Sequence, residues 1–304
     1  YGFDFDAPSP LVVPGLNLRG GLLFAGVGGN PRREGNLDTN NFGPRFGFAY
    51  SLNEETVIRG GYGIFYGAQA YQTDFLGTVG TYNSVTSYSG TIDNGATPFT
   101  TLADPFPAGV RKPQGSEVGL AAQYGDSLTM FTQNRVNPYN QQWQLSVQRV
   151  FPGEMVIEAA YLGMQSLKGL QSFNLNEKPD QYLALGAAEN TRVTNPFLRI
   201  FSPTSTLGTG ATITQGQLWK RYPQYVNLSQ EGANTGRSIY HDLQSKIEKR
   251  LQHGLDFLLS YTYSKLINNN TTSLVNERHY RAVSPNDRTH SARLTAVYDL
   301  PFGP

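Results

Sequence analysis

The 304 residues include 38% hydrophobic and 15% charged side chains, no Cys, and a formal charge of +1. These values exclude a disulfide framework, a thiolate metal site and a cysteine nucleophile, and near-neutrality leaves no electrostatic case for nucleic acid. The length allows one large domain or two ordinary ones, and 33 Gly, 18 Tyr, 17 Phe and many uncharged polar residues suit an all-β chain with long connections.

The glycine-rich stretch GGLLFAGVGGN at 20–30 has no phosphate-binding fingerprint and reads as a flexible loop. Alternation then begins. In 44–52, Phe46, Phe48, Tyr50 and Leu52 oppose Arg45, Gly47, Ala49 and Ser51. After Asn53-Glu54-Glu55, residues 56–66 put Ile58, Tyr62, Ile64 and Tyr66 on one face with Arg59 opposite. From 142, Trp143, Leu145 and Val147 alternate with Gln142, Gln144, Ser146 and Gln148, the period of a strand with one apolar and one polar face. Phe151-Pro152-Gly153-Glu154 is turn chemistry, and Met155, Ile157, Ala159 and Tyr161 share the next apolar face. Residues 239–251 set Leu243, Ile247 and Leu251 against Asp242, Gln244, Lys246, Glu248 and Arg250. Beyond Gln252-His253-Gly254, Leu255, Phe257, Leu259, Tyr261 and Tyr263 oppose Asp256, Ser260, Thr262 and Ser264. The last strand, 291–300, alternates Ala292, Leu294, Ala296, Tyr298 and Leu300 with Ser291, Arg293, Thr295, Val297 and Asp299.

Tight turns at 53–55, 151–154 and 252–254 alternate strictly with connections at 67–138, 164–238 and 266–289. The absence of any apolar run of the roughly 18 residues a spanning helix needs leaves a spanning barrel open, and the asymmetry of the connections points to strands crossing a membrane. The expected fold is all-β, a portion of an antiparallel up-and-down transmembrane β-barrel with short periplasmic turns and long extracellular loops. Trp143, Leu145, Val147, Phe257, Leu259 and Tyr261 would face lipid. Trp143, Tyr66, Tyr161 and Tyr263 would form an aromatic girdle at the long-loop ends, with Leu52, Phe151 and Tyr298 at the other. A soluble sandwich would carry the same alternation, with its apolar face packed on a second sheet.

Catalytic signatures are missing: His241, His253, His279 and His290 have no metal spacing, HExxH and GxSxG do not occur, and Glu54 with Glu55 is solvated turn charge. Neither an enzyme nor a bound cofactor is expected. His290 reads as a hydrogen-bonding residue where a loop meets a strand. Lys246, Glu248, Arg250 and Arg293 would line the lumen, and Asn269-Asn270-Thr271-Thr272 is an Asn/Thr-rich loop whose acceptor-like sequons arise by chance. The binding candidates are loop aromatics amid Asn, Gln, Thr and Ser: Tyr71, Tyr82, Tyr88, Trp219, Tyr222 and Tyr225, suited to stacking on a sugar or peptide.

Four collinear stretches, NFGPRFGFAYSLNEETVIRGGYGIFY at 41–66, NPYNQQWQLSVQRVFPGEMVIEAAYLG at 137–163, YHDLQSKIEKRLQHGLDFLLSYTYSK at 240–265 and SPNDRTHSARLTAVYDLPFG at 284–303, resemble TonB-dependent outer-membrane receptors. The likeness is to the Oar-like group that carries a carboxypeptidase-regulatory-like domain. It implies a plugged barrel of roughly 22 strands, a Gram-negative outer-membrane location, contact with outer-membrane lipid, and uptake of a carbohydrate, peptide or metal chelate driven through TonB. Seven expected strands, with no TonB box or plug recognised among them, read as one internal piece of such a barrel, residues 1–304. TonB contact would then run through a region outside it. A passive porin, a surface adhesin and a soluble carbohydrate-binding β-protein are the alternatives.

Overall fold

The computed structural model describes residues 2–33, 35–67, 81–82, 86, 88, 90–91, 95–98, 100–106, 109–110, 112–252, 254–272, 279–300 and 302. Its strands are β1 (Gly2–Pro8), β2 (Arg19–Leu23), β3 (Arg45–Ser51), β4 (Thr56–Tyr66), β5 (Leu128–Phe131), β6 (Tyr139–Phe151) and β7 (Met155–Asn174). Next come β8 (Arg192–Thr194), β9 (Thr212–Thr214), β10 (Leu228–Gln252), β11 (Leu255–Thr272), β12 (His279–Val283) and β13 (His290–Tyr298). The chain divides into two units, one built from 37–70, 135–171 and 232–304, the other from 1–36, 71–134 and 172–231. Strands β7 and β10 contribute residues to both.

The first unit is an antiparallel sheet in the order β12-β11-β10-β7-β6-β4-β3, with β13 also on β11. All seven alternating segments are strands of it. Its hairpins close at the expected turns: Leu52 N–H donates to Thr56 O at 2.9 Å, and Gly153 (φ 82°) and Gly254 (φ 78°) supply the left-handed conformations that tight reversals need. Cross-strand register carries one parity across the sheet. Phe46, Tyr62, Trp143 and Gly163 lie side by side, as do Phe48, Gly60, Leu145 and Tyr161, and Tyr50, Ile58, Val147 and Ala159. Farther on, Leu243 aligns with Tyr263 and His290, and Ile247 with Leu259 and Leu294.

This face is uncovered. Phe46 is 66% exposed, Phe48 53%, Leu145 50% and Leu294 67%. A sandwich would interlock these groups with an opposing layer, and a soluble protein does not leave so broad an apolar sheet in water. The opposite parity is hydrophilic: Arg59 donates to Gln148 Oε1 at 2.6 Å, and Lys246 and Arg250 flank Glu248 at 3.0 and 3.6 Å. One layer with an apolar and a polar side is the wall of a barrel, and it disfavours the soluble alternative.

Three strands outrun the alternating segments read from the sequence: β7, β10 and β11 have 20, 25 and 18 residues. The extra length of β10, GANTGRS at 232–238, is polar on both sides, and that of β7, MQSLKGLQSFN at 164–174, spaces its apolar residues three apart, so neither shows an alternation to detect. The connection 266–289 likewise contains a strand. β12 pairs with Ile267–Thr272 while β13 pairs with Leu255–Tyr263, so the two share successive halves of one edge of β11. Between them Asp287 ties the seam, accepting from Leu266 N–H at 2.6 Å and from Lys265 Nζ at 2.8 Å.

The second unit corrects the picture of long structureless loops, since segments of the connections 67–138 and 164–238 fold here with residues 1–36. Its antiparallel pairs are β1 with β2 and β8 with β9, and β5 runs parallel to Leu228–Glu231 of β10. The stretch 20–30 is no loop at its start: Gly20–Leu23 belong to β2, and Leu22 is 1% exposed. Phe3, Leu22, Phe24, Tyr124, Leu128, Met130, Phe197, Phe201, Ile213, Tyr222, Tyr225 and Leu228 form the core. Polar side chains bond the backbone that regular structure leaves unpaired. The Asn176 amide donates to Tyr222 O at 2.9 Å and Tyr225 O at 2.7 Å and accepts from Tyr222 N–H at 2.9 Å. Gln217 donates to Pro223 O and Tyr225 O, and Asn195 to Leu207 O and Gly210 O.

Candidate functional site

On the apolar face of the sheet, the girdle residues stand near the long-connection side. Tyr161 Oη lies 2.7 Å from His241 Nδ1 with the rings stacked 6.0 Å apart, and the Trp143 indole meets the same imidazole edge-on at 6.0 Å. Tyr261 Oη is 2.8 Å from His290 Nδ1, whose ring lies 5.3 Å from Tyr263. These rings, apolar in body and polar at the tip, suit a lipid–water boundary. Tyr66 stacks at a tilt on Tyr139 at 5.3 Å. Gly163 leaves the space opposite Trp143 that a side chain would take from the indole. Tyr161 and Tyr263 are not at strand ends, because β7 and β11 continue to Asn174 and Thr272.

Past this row the same face holds a polar cavity of about 460 Å³ lined by Gln165, Thr235, Arg237, Ile239, Asn269 and Arg281, among others. Asn269, 9% exposed, fixes its floor by accepting from Arg237 N–H at 2.6 Å and donating to Thr235 O at 2.9 Å. The Asn269 side chain is therefore a fixed structural element within a strand, where the sequence read as an Asn/Thr-rich loop. Composition gave no sign of the cavity, since its residues come from four strands.

The six aromatic binding candidates are separated. Tyr71 lies outside the described residues, as does His253. Tyr222 and Tyr225 are 3% and 0% exposed and belong to the core, where Phe3 meets both rings edge-on at 5.4 and 5.9 Å. Burial pushes the Tyr225 phenol well above the ordinary tyrosine range, with the neighbouring Tyr124 adding to it, and burial raises Tyr124 and Tyr222 as well. Three candidates remain accessible. Trp219, half-buried, stacks on Tyr182 at 4.9 Å and 7°, a ring the sequence reading missed, although DQYL in a polar stretch was its only signal. Lys178, paired with Glu189, and Lys220, bonded to Val226 O, lie near in sequence; burial and then Lys178 lower the Lys220 pKa. Tyr82 is 61% exposed, packs edge-on against Phe24 at 6.0 Å and lines an open concavity with Lys112, Gln114 and Glu117. Tyr88 is 53% exposed. Among the described residues no cluster of His, Asp and Glu could hold a metal ion.

Comparison with solved structures finds the alcaligin outer membrane receptor FauA from Bordetella pertussis, at 10% identity and TM-score 0.38 over 87% of this chain and 27% of that one. The outer membrane transporter YddB from Escherichia coli matches at 14% identity and TM-score 0.36 over 77% and 21%. The ferric enterobactin receptor PfeA from Pseudomonas aeruginosa matches at 10% and 0.35 over 84% and 32%. The chain thus spans between about a fifth and a third of the length of these proteins. No curated protein matches it. The family model described as "Outer membrane beta barrel domain" matches residues 1–304, the whole chain. With an uncovered apolar sheet face, a polar reverse face and alternating short and long connections already in place, the chain belongs to the outer membrane β-barrel domain family, and its lipid-facing wall sits in the outer membrane of a Gram-negative cell.

Proposed function

We propose that the chain is barrel wall and external apparatus of a TonB-dependent receptor that captures a carbohydrate, peptide or metal chelate outside the cell and imports it. The observation that carries this reading is the second unit. Segments drawn from two long connections pack a core of their own, with Asn176, Asn195 and Gln217 bonding its irregular backbone. A passive pore has no need of a second unit with a core of its own. Loop-borne binding surfaces on a rigid scaffold are a common arrangement, and the accessible aromatics Trp219, Tyr182, Tyr82 and Tyr88 offer stacking faces amid hydrogen-bonding groups. The four stretches resembling Oar-like receptors support the same assignment. Lys246, Glu248, Arg250 and Arg293, on the polar face, would border the passage and any plug within it.

The test is nutrient-limited growth of cells whose uptake depends on the full-length protein, screened over oligosaccharides, peptides and ferric chelates, with TonB present or deleted. Uptake that collapses without TonB is the expected result. Uptake that persists at the same rate identifies a passive pore.

A further inference from the structure

We propose that the cavity around Arg237 and Arg281 binds a phosphate-bearing lipid headgroup of the outer leaflet. Parity carries the argument first. Ile239 pairs with Ile267 and Ile267 with Val283 on the face that presents Leu243 and Tyr263, and Arg237 and Arg281 are two residues farther along on the same side. Both arginines therefore stand on the lipid-facing surface, not on the polar face of Lys246 and Arg293.

Depth comes next. Arg237 is four residues beyond His241 on β10; at roughly 3.3 Å per residue and a tilt of about 40°, that is about 10 Å farther along the membrane normal. Such a height, above rings that mark the hydrocarbon boundary, is the headgroup layer. A guanidinium facing outward there stands at the level of lipid phosphates, whose oxygens match its planar fork. Among the described residues neither arginine has a carboxylate partner. Both line a concavity shared with Gln165, Asn234, Thr235 and Asn269, of which the last three donate to neutral oxygens. Asn269 holds the Arg237 backbone in place before any ligand arrives. Charge complementarity and continuity with the apolar wall commit the site to a lipid whose acyl chains lie along Ile239 and Ile267.

Diphosphoryl lipid A, the same lipid stripped of phosphate, and inorganic phosphate are offered to the full-length protein in detergent, with binding read by native mass spectrometry and titration. Expected are retention of diphosphoryl lipid A, a loss of tenfold or more in R237A/R281A, and parent-like binding in R192A, which alters an exposed arginine elsewhere. Dephosphorylated lipid should bind the parent no better than the double variant does. Equal binding of diphosphoryl lipid by parent and double variant overturns the proposal. Displacement of the lipid by millimolar phosphate also overturns it, marking a site for free anions. If the double variant does not fold, as judged by heat-modifiable gel migration, R237Q and R281Q are read singly, and unchanged affinity in both is fatal to the idea.

Discussion

Val147→Arg should weaken the barrel wall by about 2–4 kcal/mol, the cost of a lipid-facing arginine at the bilayer midplane. Its depth follows from the structure. The aromatic residues Trp143 and Phe151, which mark the two boundary levels on the outward parity of β6, are eight residues apart, or about 26 Å of strand and about 20 Å of membrane normal at a tilt near 40°. Val147 is the midpoint of that span, between Ile58 and Ala159 on the flanking strands. Gln144→Arg, on the polar face, should change stability by no more than about 0.5 kcal/mol. Urea titration of the full-length protein in liposomes measures both, and the expected difference is about 30- to 700-fold in the folding equilibrium. Equal losses for the two variants, or none for Val147→Arg, would refute the assignment of hydrocarbon to the tryptophan-bearing face.

Gly163→Leu should cost about 1–3 kcal/mol by overpacking the Trp143 indole, and Trp143→Ala in the same background should recover part of that loss in the same titration. In the second unit, Asn176→Leu strands two buried carbonyls and one N–H, at about 1–3 kcal/mol each; protease cleavage confined to 172–231 would register the local unfolding. Because burial raises the Tyr225 and Tyr124 phenols in the folded protein, the stability they add is complete below the unfolded tyrosine pKa of about 10 and declines as pH rises past it. Tyr225→Phe should blunt that alkaline loss, followed by absorbance at 295 nm as tyrosinate appears. If the proposed receptor function holds, Trp219→Ala should cut binding of the nutrient found in the growth screen at least tenfold while leaving gel heat-modifiability intact; unchanged binding removes the Trp219–Tyr182 stack from the proposed binding surface.

Legibility in the sequence tracked periodicity. Trp143, Leu145 and Val147 against three glutamines and a serine could be read at once, because a sheet between lipid and water imposes one rule on every second residue. Parity also put Phe257, Leu259 and Tyr261 on one face of a strand, as the register shows, and turn chemistry placed the hairpin at Gly153. The second unit was hidden for the opposite reason. Its core draws Phe3, Tyr124, Phe197 and Tyr225 from widely separated stretches, and its backbone is satisfied by Asn176 and Gln217 more than by ladders, so no local pattern repeats. Tyr222 and Tyr225 resembled ligand-facing aromatics because a polar neighbourhood in sequence, RYPQYVN, says nothing about the hydrophobic groups that reach them in space. The parallel pairing of β5 with β10 joins segments about a hundred residues apart and has no sequence signal.

The shared edge of β11 divides the wall into two zippers. Nine register pairs with β13 hold Leu255–Tyr263, and a separate set with β12 holds Ile267–Thr272; between the two sets Asp287 clasps Lys265 and Leu266, Ser284 N–H donates to Leu266 O, and Ser264 bonds Thr289 O and Arg288 O. Parting the upper one sacrifices none of the lower. The Ile267–Thr272 half of that edge can thereby open from β12 while the Leu255–Tyr263 half keeps its full ladder with β13.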